Sequence, residues 1–234
     1  YVYQIFDGRR MPSRNKLIAI AFGMRLSVEE TQAMLKLSGY RNLYAKDERD
    51  AILLFSLNQK MNVEETIATW EAEEARIREK LGNADVIPLS DLTTRSGMDI
   101  FNAMFAGELP HPPIGLTLDY TPIHMEKGIA VFQGRPKLHH YNPLGTVHGG
   151  WFCTLLDSAV GCAVHTLLPA GKTYTTLEIK VNMVRALTVA TPLVRAEGKV
   201  IHAGRRTATA EGKIVGPDGK LYAHATTTCI ILDV

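Results

Sequence analysis

A twenty-residue apolar segment from Gly149 to Leu168 constrains the fold of this chain more than any other stretch. Ala, Leu, Val and Cys recur throughout it, so it can be buried on every side. Strands of globular proteins rarely exceed about ten residues, which makes the segment too long for one strand. We therefore predict a single long helix buried in the core of a domain.

The segments around this helix are predicted to be strands, two before it and four after it. Their expected ranges are 116–124, 129–135, 173–185, 192–202, 205–215 and 220–232. Gly204 and the turn Pro217-Asp218-Gly219 separate the last pairs. Because one helix lies among six strands, the simplest arrangement is an α+β fold in which one antiparallel sheet wraps around the helix.

A further amphipathic helix is predicted over residues 96–107, ended by the proline-rich run 110–113. Its apolar side chains include Ile100, Met104 and Phe105. They would form either a lid over an apolar pocket or part of the ordinary core, and we favour core.

The first third of the chain repeats itself. A helix–turn–helix pattern returns after 35 residues, with the sequence V-E-E-T at 28–31 and again at 63–66. Ser27 and Asn62 each precede an acid by three residues, the spacing of a helix N-cap with its capping box. Periods in the mid-thirties are typical of helix-pair arrays, and two copies predict a small all-α module.

Three regions follow from these patterns. They are an all-α module over 1–69, a helical connector over 70–94 and the sheet domain over 95–234. No Gly or Pro interrupts residues 64–81, so the boundary is expected inside one continuous helix near 67–72. A natural rigid connector and an engineered helical fusion would both have this sequence, and both stay open.

Composition narrows the class of protein. Hydrophobic residues are 46% and charged residues 21%, which excludes a disordered or fibrous chain. The net charge of +2 gives no reason to expect nucleic-acid or membrane binding, and no stretch matches the roughly 20 uncharged apolar residues of a membrane helix. No signal peptide opens the chain, and Cys153, Cys162 and Cys229 lack metal or redox spacing. We expect a cytoplasmic protein with neither metal nor cofactor.

The start of the buried helix has the composition of an oxyanion site. In His148-Gly149-Gly150 the glycines let another group approach the backbone, where free N–H groups and the helix dipole favour negative charge. Asp157 lies farther along among apolar residues, where an unpaired carboxylate is costly. It is either functional or held by a polar group on a neighbouring strand. His148 alone is more often an ordinary loop histidine.

The spacing of these residues predicts an oligomer. Nine helical residues separate His148 from Asp157 by about 13 Å and half a turn, so the two cannot act as a dyad within one chain. If both serve one site, Asp157 must meet His148 and Gly150 of the partner subunit. The motif therefore predicts a dimer with shared sites.

Asn142, His148-Gly149-Gly150 and Asp157, followed by Thr175-Thr176 and the strand to Asn182, resemble the hotdog-fold acyl-CoA thioesterases of the PaaI-like (phenylacetate-degradation) type. The resemblance covers about residues 95–234 without a large gap. It implies a hotdog fold, hydrolysis of aromatic or medium-chain acyl-CoA without a cofactor, and assembly as a homodimer or a dimer of dimers.

The resemblance also implies roles for individual residues. Gly150 would donate its backbone N–H to the thioester carbonyl, His148 and Asn142 would orient the entry loop and its hydrogen bonds, and Gly149 would bind substrate. Asp157 would be the general base or the nucleophile.

Four more positions follow from the same resemblance. The family places a Ser or Thr on the strand after the helix to position water, and Thr176 aligns better than Thr175. Arg205 and Arg206 would suit the phosphates of coenzyme A. A solvated hairpin is an equal alternative for that pair.

Residues 1–67 resemble the back half of an XRE-type helix-turn-helix repressor domain and its helical extension. In this resemblance Tyr1–Phe6 is the tail of the recognition helix, and the residues that read bases would precede it, so DNA binding is not expected. Contact with phosphates is one interpretation of Arg9, Arg10 and Arg14, but we favour a solvated basic turn.

Two other functions stay open. An acyl-CoA-sensing transcriptional regulator would couple a helical DNA-binding module to a non-catalytic hotdog domain, which need not keep the catalytic set. A helical fusion would instead make the first third an assembly module for a thioesterase.

Overall fold

The computed structural model describes residues 12–24, 26–46, 50, 54, 57 and 63–234. The chain divides into two compact units, Tyr1–Thr66 and Ile67–Val234. In the described part of the chain, no helix combines the length and the apolar character that crossing a membrane requires.

The first unit contains α1 (Arg14–Gly23) and α2 (Val28–Leu37). The predicted N-cap at Ser27 is confirmed. Its Oγ accepts the Glu30 N–H at 2.9 Å, and Glu30 Oε2 accepts the Ser27 N–H at 2.8 Å. The buried apolar side chains of the unit form a small core of Leu17, Ile18, Leu35, Leu43 and Leu57.

Arg14 corrects one prediction, because it is paired rather than solvated. Its guanidinium donates to both carboxylate oxygens of Asp50, at 3.0 and 2.8 Å. These hydrogen bonds hold the pKa of the buried Asp50 carboxyl below its usual value, against the effect of burial. Residues 1–11 and Asn62 lie outside the described residues, so the repressor resemblance and the second cap stay predictions.

The second unit is a sheet around one long helix. Its helices are the part of α3 (Val63–Arg78) from Ile67 onward, α4 (Leu89–Thr94), α5 (Gly97–Phe105), α6 (Ile114–Thr117) and α7 (Gly149–His165), with a 3-10 turn at Leu138–His140. Its strands are β1 (Tyr120–Glu126), β2 (Ile129–Gly134), β3 (Lys172–Met183), β4 (Val194–Ala203), β5 (Thr207–Val215) and β6 (Leu221–Asp233). Neighbouring strands are antiparallel in the order β1-β2-β4-β5-β6-β3, which confirms the α+β hotdog prediction.

The first strand begins later than predicted. Residue 116 was expected to lie in it, but β1 starts at Tyr120 because Pro112 and Pro113 lead into the short helix α6. Asp119 then turns the chain into β1 with a left-handed backbone, at φ 54°.

The backbone of α7 lies almost against the sheet. Leu156, Ala159 and Val160 are fully buried, which confirms the predicted buried helix. Gly198 of β4 and Gly212 of β5 face each other across the two strands. A Cβ on Gly198 would lie 2.2 Å from the Ala159 carbonyl oxygen, so only glycine permits this approach.

Helix α5 belongs to the same core. Ile100 and Met104 are buried among the residues that pack on α7, and Phe105 is partly buried beside them. The prediction of core packing is confirmed for Ile100 and Met104.

A buried carboxylate holds the second half of α3 on the sheet, a feature that the sequence analysis did not foresee. Glu74 accepts hydrogen bonds from Gln133 Nε2 at 2.7 Å and from Arg135 Nη2 at 2.9 Å. Burial alone would raise the pKa of Glu74, but bonds from Arg78, Gln133 and Arg135 hold it below its usual value. Glu74 is therefore an ionised group inside the protein with its partners in place.

A second group of contacts lies beside Glu74. The Arg195 guanidinium bonds Glu73, donates to Gln133 Oε1 at 3.1 Å and lies 4.3 Å from the centre of the Trp70 ring. The Trp70 carbonyl also accepts from Gln133 Nε2 at 3.2 Å. Residues 67–78 are thus matched in detail to the sheet they lie on.

Replacing Glu74 with Ala should lower the free energy of unfolding by about 3 kcal/mol, because Gln133 and Arg135 lose their buried partner. The matched control is Glu71→Ala. Glu71 bonds the same Arg135 at 3.1 Å but is about half exposed, so its loss should cost less than about 1 kcal/mol. Denaturant unfolding compares the two variants, and equal losses would contradict the assignment.

Candidate active site

A histidine caps the start of α7. His148 has the extended backbone of an N-cap, with φ −62° and ψ 140°, and its Nδ1 accepts the Gly150 N–H at 2.9 Å. In its neutral form the ring therefore carries its proton on Nε2. The motif is locally satisfied before any ligand binds.

This cap changes which backbone N–H faces outward. The Gly150 N–H, predicted as the donor to the carbonyl, is occupied by the His148 ring. Among the described residues, the N–H of Gly149 meets no hydrogen-bond acceptor. A Cβ on Gly149 would lie 3.0 Å from Met183 Cε, the flexible end of a side chain that can move aside. The donor that the structure makes available is Gly149.

Asn142 shapes the loop that leads to this point. Its Oδ1 accepts the Leu144 N–H at 2.9 Å, and its Nδ2 donates to Thr146 Oγ1 at 3.0 Å. The Asn142 N–H also donates to the Thr146 carbonyl at 2.8 Å. Gly145 completes the turn at φ 85°. Asn142 thus orders the loop through both its side chain and its backbone.

A cavity of about 310 Å³ opens beside the loop and the start of α7. It is lined by Asn142, Thr146, Val147, Gly149, Phe152, Met183, Val184, Arg185 and Ala186. Asp157 and Thr176 are not among these residues. One chain therefore presents the backbone donor and the carboxylate at two separate places.

Asp157 lies half-buried on α7 and is held from the neighbouring strand. Thr176 Oγ1 donates to Asp157 Oδ1 at 2.9 Å. The register of β3 against β6 shifts directly after Thr176, and such bulges re-aim side chains beside functional sites. Thr175 is exposed, as strand alternation requires for the opposite face. Thr176, rather than Thr175, contacts the carboxylate.

The thiols and phenols around Asp157 are held protonated. Burial raises the pKa of Cys162 to about 12, and the negative charge of Asp157 contributes in the same direction. Burial likewise raises the pKa of Tyr120 to about 12. Cys153 and Cys229 are free thiols whose pKa is raised by burial and by Asp157. None of these thiols is activated, so Asp157 is the candidate nucleophile or base of this cluster.

The predicted phosphate ligands lie elsewhere. Arg205 and Arg206 are exposed in the turn between β4 and β5 and do not line the cavity beside Gly149. The cation that does line it is Arg185, which the sequence analysis missed together with Met183. Met183 is the last residue of β3, and Arg185 lies two residues beyond it. The alternation of apolar and polar residues that marks a strand stops there, so the sequence does not predict where these side chains point.

Replacing His148 with Ala should lower the free energy of unfolding by about 1 kcal/mol, because the Gly150 N–H loses its acceptor at the start of α7. His148→Asn should keep most of that stability, since Asn is a preferred N-cap residue. Denaturant unfolding of both variants at one pH measures the difference. An Asn variant as unstable as the Ala variant would show that the cap does not stabilise the helix.

The chain resembles known proteins in sequence and in fold. The sequence profile of the thioesterase superfamily matches residues 144–223. A phenylacetic acid degradation-related protein from Ralstonia eutropha JMP134 is 28% identical, with a TM-score of 0.52 over 56% of this chain and 98% of its own. AziG from S. sahachiroi is 20% identical, with a TM-score of 0.50 over 52% of this chain and 98% of its own, and shares the fold. No curated protein matches the chain.

Proposed function

We propose that the second unit, whose residues 144–223 match the sequence profile of the thioesterase superfamily, hydrolyses acyl-CoA thioesters with aromatic or medium-chain acyl groups. One observation carries the proposal. Helix α7 bears both the Asp157 carboxylate, which accepts a hydrogen bond from Thr176 of β3, and the Gly149 N–H, which has no acceptor among the described residues. A carboxylate and a backbone donor are the two groups that acyl transfer requires.

The start of α7 would stabilise the charge that develops on the substrate. When the thioester carbonyl carbon is attacked, its oxygen becomes negative and needs a fixed donor. The Gly149 N–H points out of the helix N-terminus, where the helix dipole adds favourable potential. Donors of this kind contribute about 3 kcal/mol to the barrier of acyl-transfer reactions.

Asp157 would either remove a proton from a water molecule that attacks the thioester carbonyl carbon, or attack that carbon itself to form a mixed anhydride that water then hydrolyses. In both routes the C–S bond breaks, the thiolate of coenzyme A leaves and takes up a proton that comes from the water, and the acid is released. The Thr176 hydroxyl fixes one carboxylate oxygen, which leaves the other oriented for the reaction. No thiol of the cluster competes, because burial keeps Cys162 protonated.

Two subunits would share each site. Asp157 lies nine residues after His148 on one rigid helix and does not line the cavity beside Gly149. Strand β3 lies at the end of the sheet order, so one of its edges is available for another strand. We propose a homodimer, or a dimer of dimers, in which Asp157 of one protomer faces Gly149 of the partner subunit.

The phosphates of coenzyme A need cations outside the cavity. Arg205 and Arg206 are exposed and available for this role in the proposal, and Arg185 offers a further guanidinium at the cavity itself. Guanidinium groups bind phosphate through paired hydrogen bonds, which suits this ligand.

Asp157→Asn should lower kcat for acyl-CoA hydrolysis by at least about 100-fold, because an amide can act neither as base nor as nucleophile. Steady-state thiol release from a panel of aromatic and medium-chain acyl-CoAs measures the effect. Near-normal turnover by this variant would overturn the mechanism. Acyl-CoA binding without any turnover by the unmodified chain would favour the sensor function instead.

Two substitutions at Gly149 test the backbone donor. Gly149→Pro removes the N–H, and proline fits the first helical position after an extended residue such as His148. Gly149→Ala is the matched control, because it adds a Cβ at the same place and keeps the N–H. Only the proline variant should lose activity by about 100-fold. If the Gly150 N–H were the donor, Gly149→Pro would retain the activity of the Ala control.

Co-expressing Asp157→Asn with Gly149→Pro then tests whether the site is shared. In random dimers about half are mixed, and each mixed dimer has one intact site, so about one quarter of the unmodified activity should return. A site built within one chain predicts that the mixture stays inactive.

A further inference from the structure

Three titratable side chains meet in front of the sheet, outside the site described above. Asp119 precedes β1, and His139 and His140 belong to the 3-10 turn after β2. Their ligand atoms lie within 4.8 Å of one another. Two imidazoles and a carboxylate are a common ligand set for transition metals. The positions of the protons in this group decide whether it is a metal site or a set of structural contacts.

The proton positions oppose a metal. His140 Nδ1 accepts the Lys137 backbone N–H at 3.1 Å, so the neutral ring carries its proton on Nε2. That Nε2 is buried and lies 3.2 Å from Asp119 Oδ2, close enough for a charge contact, although the two atoms lack the geometry of a hydrogen bond. The Lys137 ammonium bonds the other Asp119 oxygen. A metal at His140 Nε2 would have to displace the ring proton and lie beside an ammonium group.

The Asp119 clamp, formed by Asp119, Lys137, His139 and His140, instead connects to the start of α7. The His140 carbonyl accepts the His148 N–H at 2.7 Å. Its ring packs on Trp151 of α7, with centroids 5.6 Å apart. The Trp151 Nε1 in turn donates to the Leu118 carbonyl at 2.8 Å, next to Asp119 in sequence.

We propose that Asp119 is a positioning residue for the Gly149 donor, acting through His140 and the His148 backbone. This inference rests on the proposed function for its effect on turnover. Asp119 contacts the His140 ring, and the Leu118 carbonyl accepts from Trp151. These two neighbouring residues therefore hold the segment before α7 from two sides. The backbone on which Gly149 depends is thereby fixed relative to the sheet.

The Asp119 carboxylate is held in its ionised form by its neighbours. Burial would raise the pKa of Asp119, but hydrogen bonds from Lys137 and His139 and the Lys137 charge hold it below its usual value. The His139 Nε2–Oδ2 distance is 2.8 Å. Asp is one of the few residues that tolerates the left-handed backbone found at position 119, so side chain and turn belong together.

The test is Asp119→Asn in the full chain, which keeps the side-chain size and removes the charge. Asp218→Asn is the matched control, because Asp218 is similarly exposed and also pairs with a lysine, Lys220, in the turn after β5. Hydrogen-exchange mass spectrometry of the peptide spanning 144–151 should show exchange about ten-fold faster for Asp119→Asn and unchanged for Asp218→Asn. This readout does not depend on turnover.

Turnover is the second readout. Asp119→Asn should lower kcat for acyl-CoA hydrolysis by about ten-fold while KM changes less than about two-fold, since the donor is displaced and the cavity remains. Adding Asp119→Asn to His140→Gln should change kcat by less than about two-fold, because the path is already broken.

Three outcomes would overturn the positioning role. They are unchanged exchange at 144–151, faster exchange spread equally over the second unit, and additive losses in the double variant. If the unmodified chain hydrolyses no thioester, the proposed function fails, and the exchange measurement still decides whether Asp119 holds the loop.

Discussion

The close approach of α7 to the sheet is the contact on which the second unit depends. A side chain at Gly198 would collide with the Ala159 backbone, and one at Gly212 would collide with Val160, so both glycines let the helix approach the strands. Because the helix backbone then lies against β4 and β5, no polar side chain fits on that side. Asp157 is consequently placed on the open side of the helix, where Thr176 of β3 reaches it. Packing thus decides where the chemistry lies.

The rigidity of the same helix separates the two halves of the proposed site. Gly149 at its first turn and Asp157 two turns later cannot approach each other, which is why the proposed site is shared between two chains. Because Gly149 is the first residue of this rigid helix, any displacement of the preceding loop would also displace the proposed Gly149 donor. Asn142, His148 and the Asp119 clamp each make contacts that hold this loop.

Buried charge fixes the second half of α3 in a comparable way. An ionised Glu74 inside the protein is tolerated only when its partners are all present, so the Gln133 and Arg135 contacts permit one docking position. Trp70 and Arg195 extend the match. The part of α3 that carries these contacts therefore belongs to the second unit.

The sequence by itself determined the long buried helix, the six strands and the Ser27 cap, because periodicity and capping are local properties. Tertiary structure decided the rest. Glu74 lies in a run of charges that resembles a solvated helix face, Arg14 meets Asp50 across 36 residues, and the His148 ring selects which glycine N–H stays free. Each depends on polar groups brought together by packing, and no local pattern encodes such pairs.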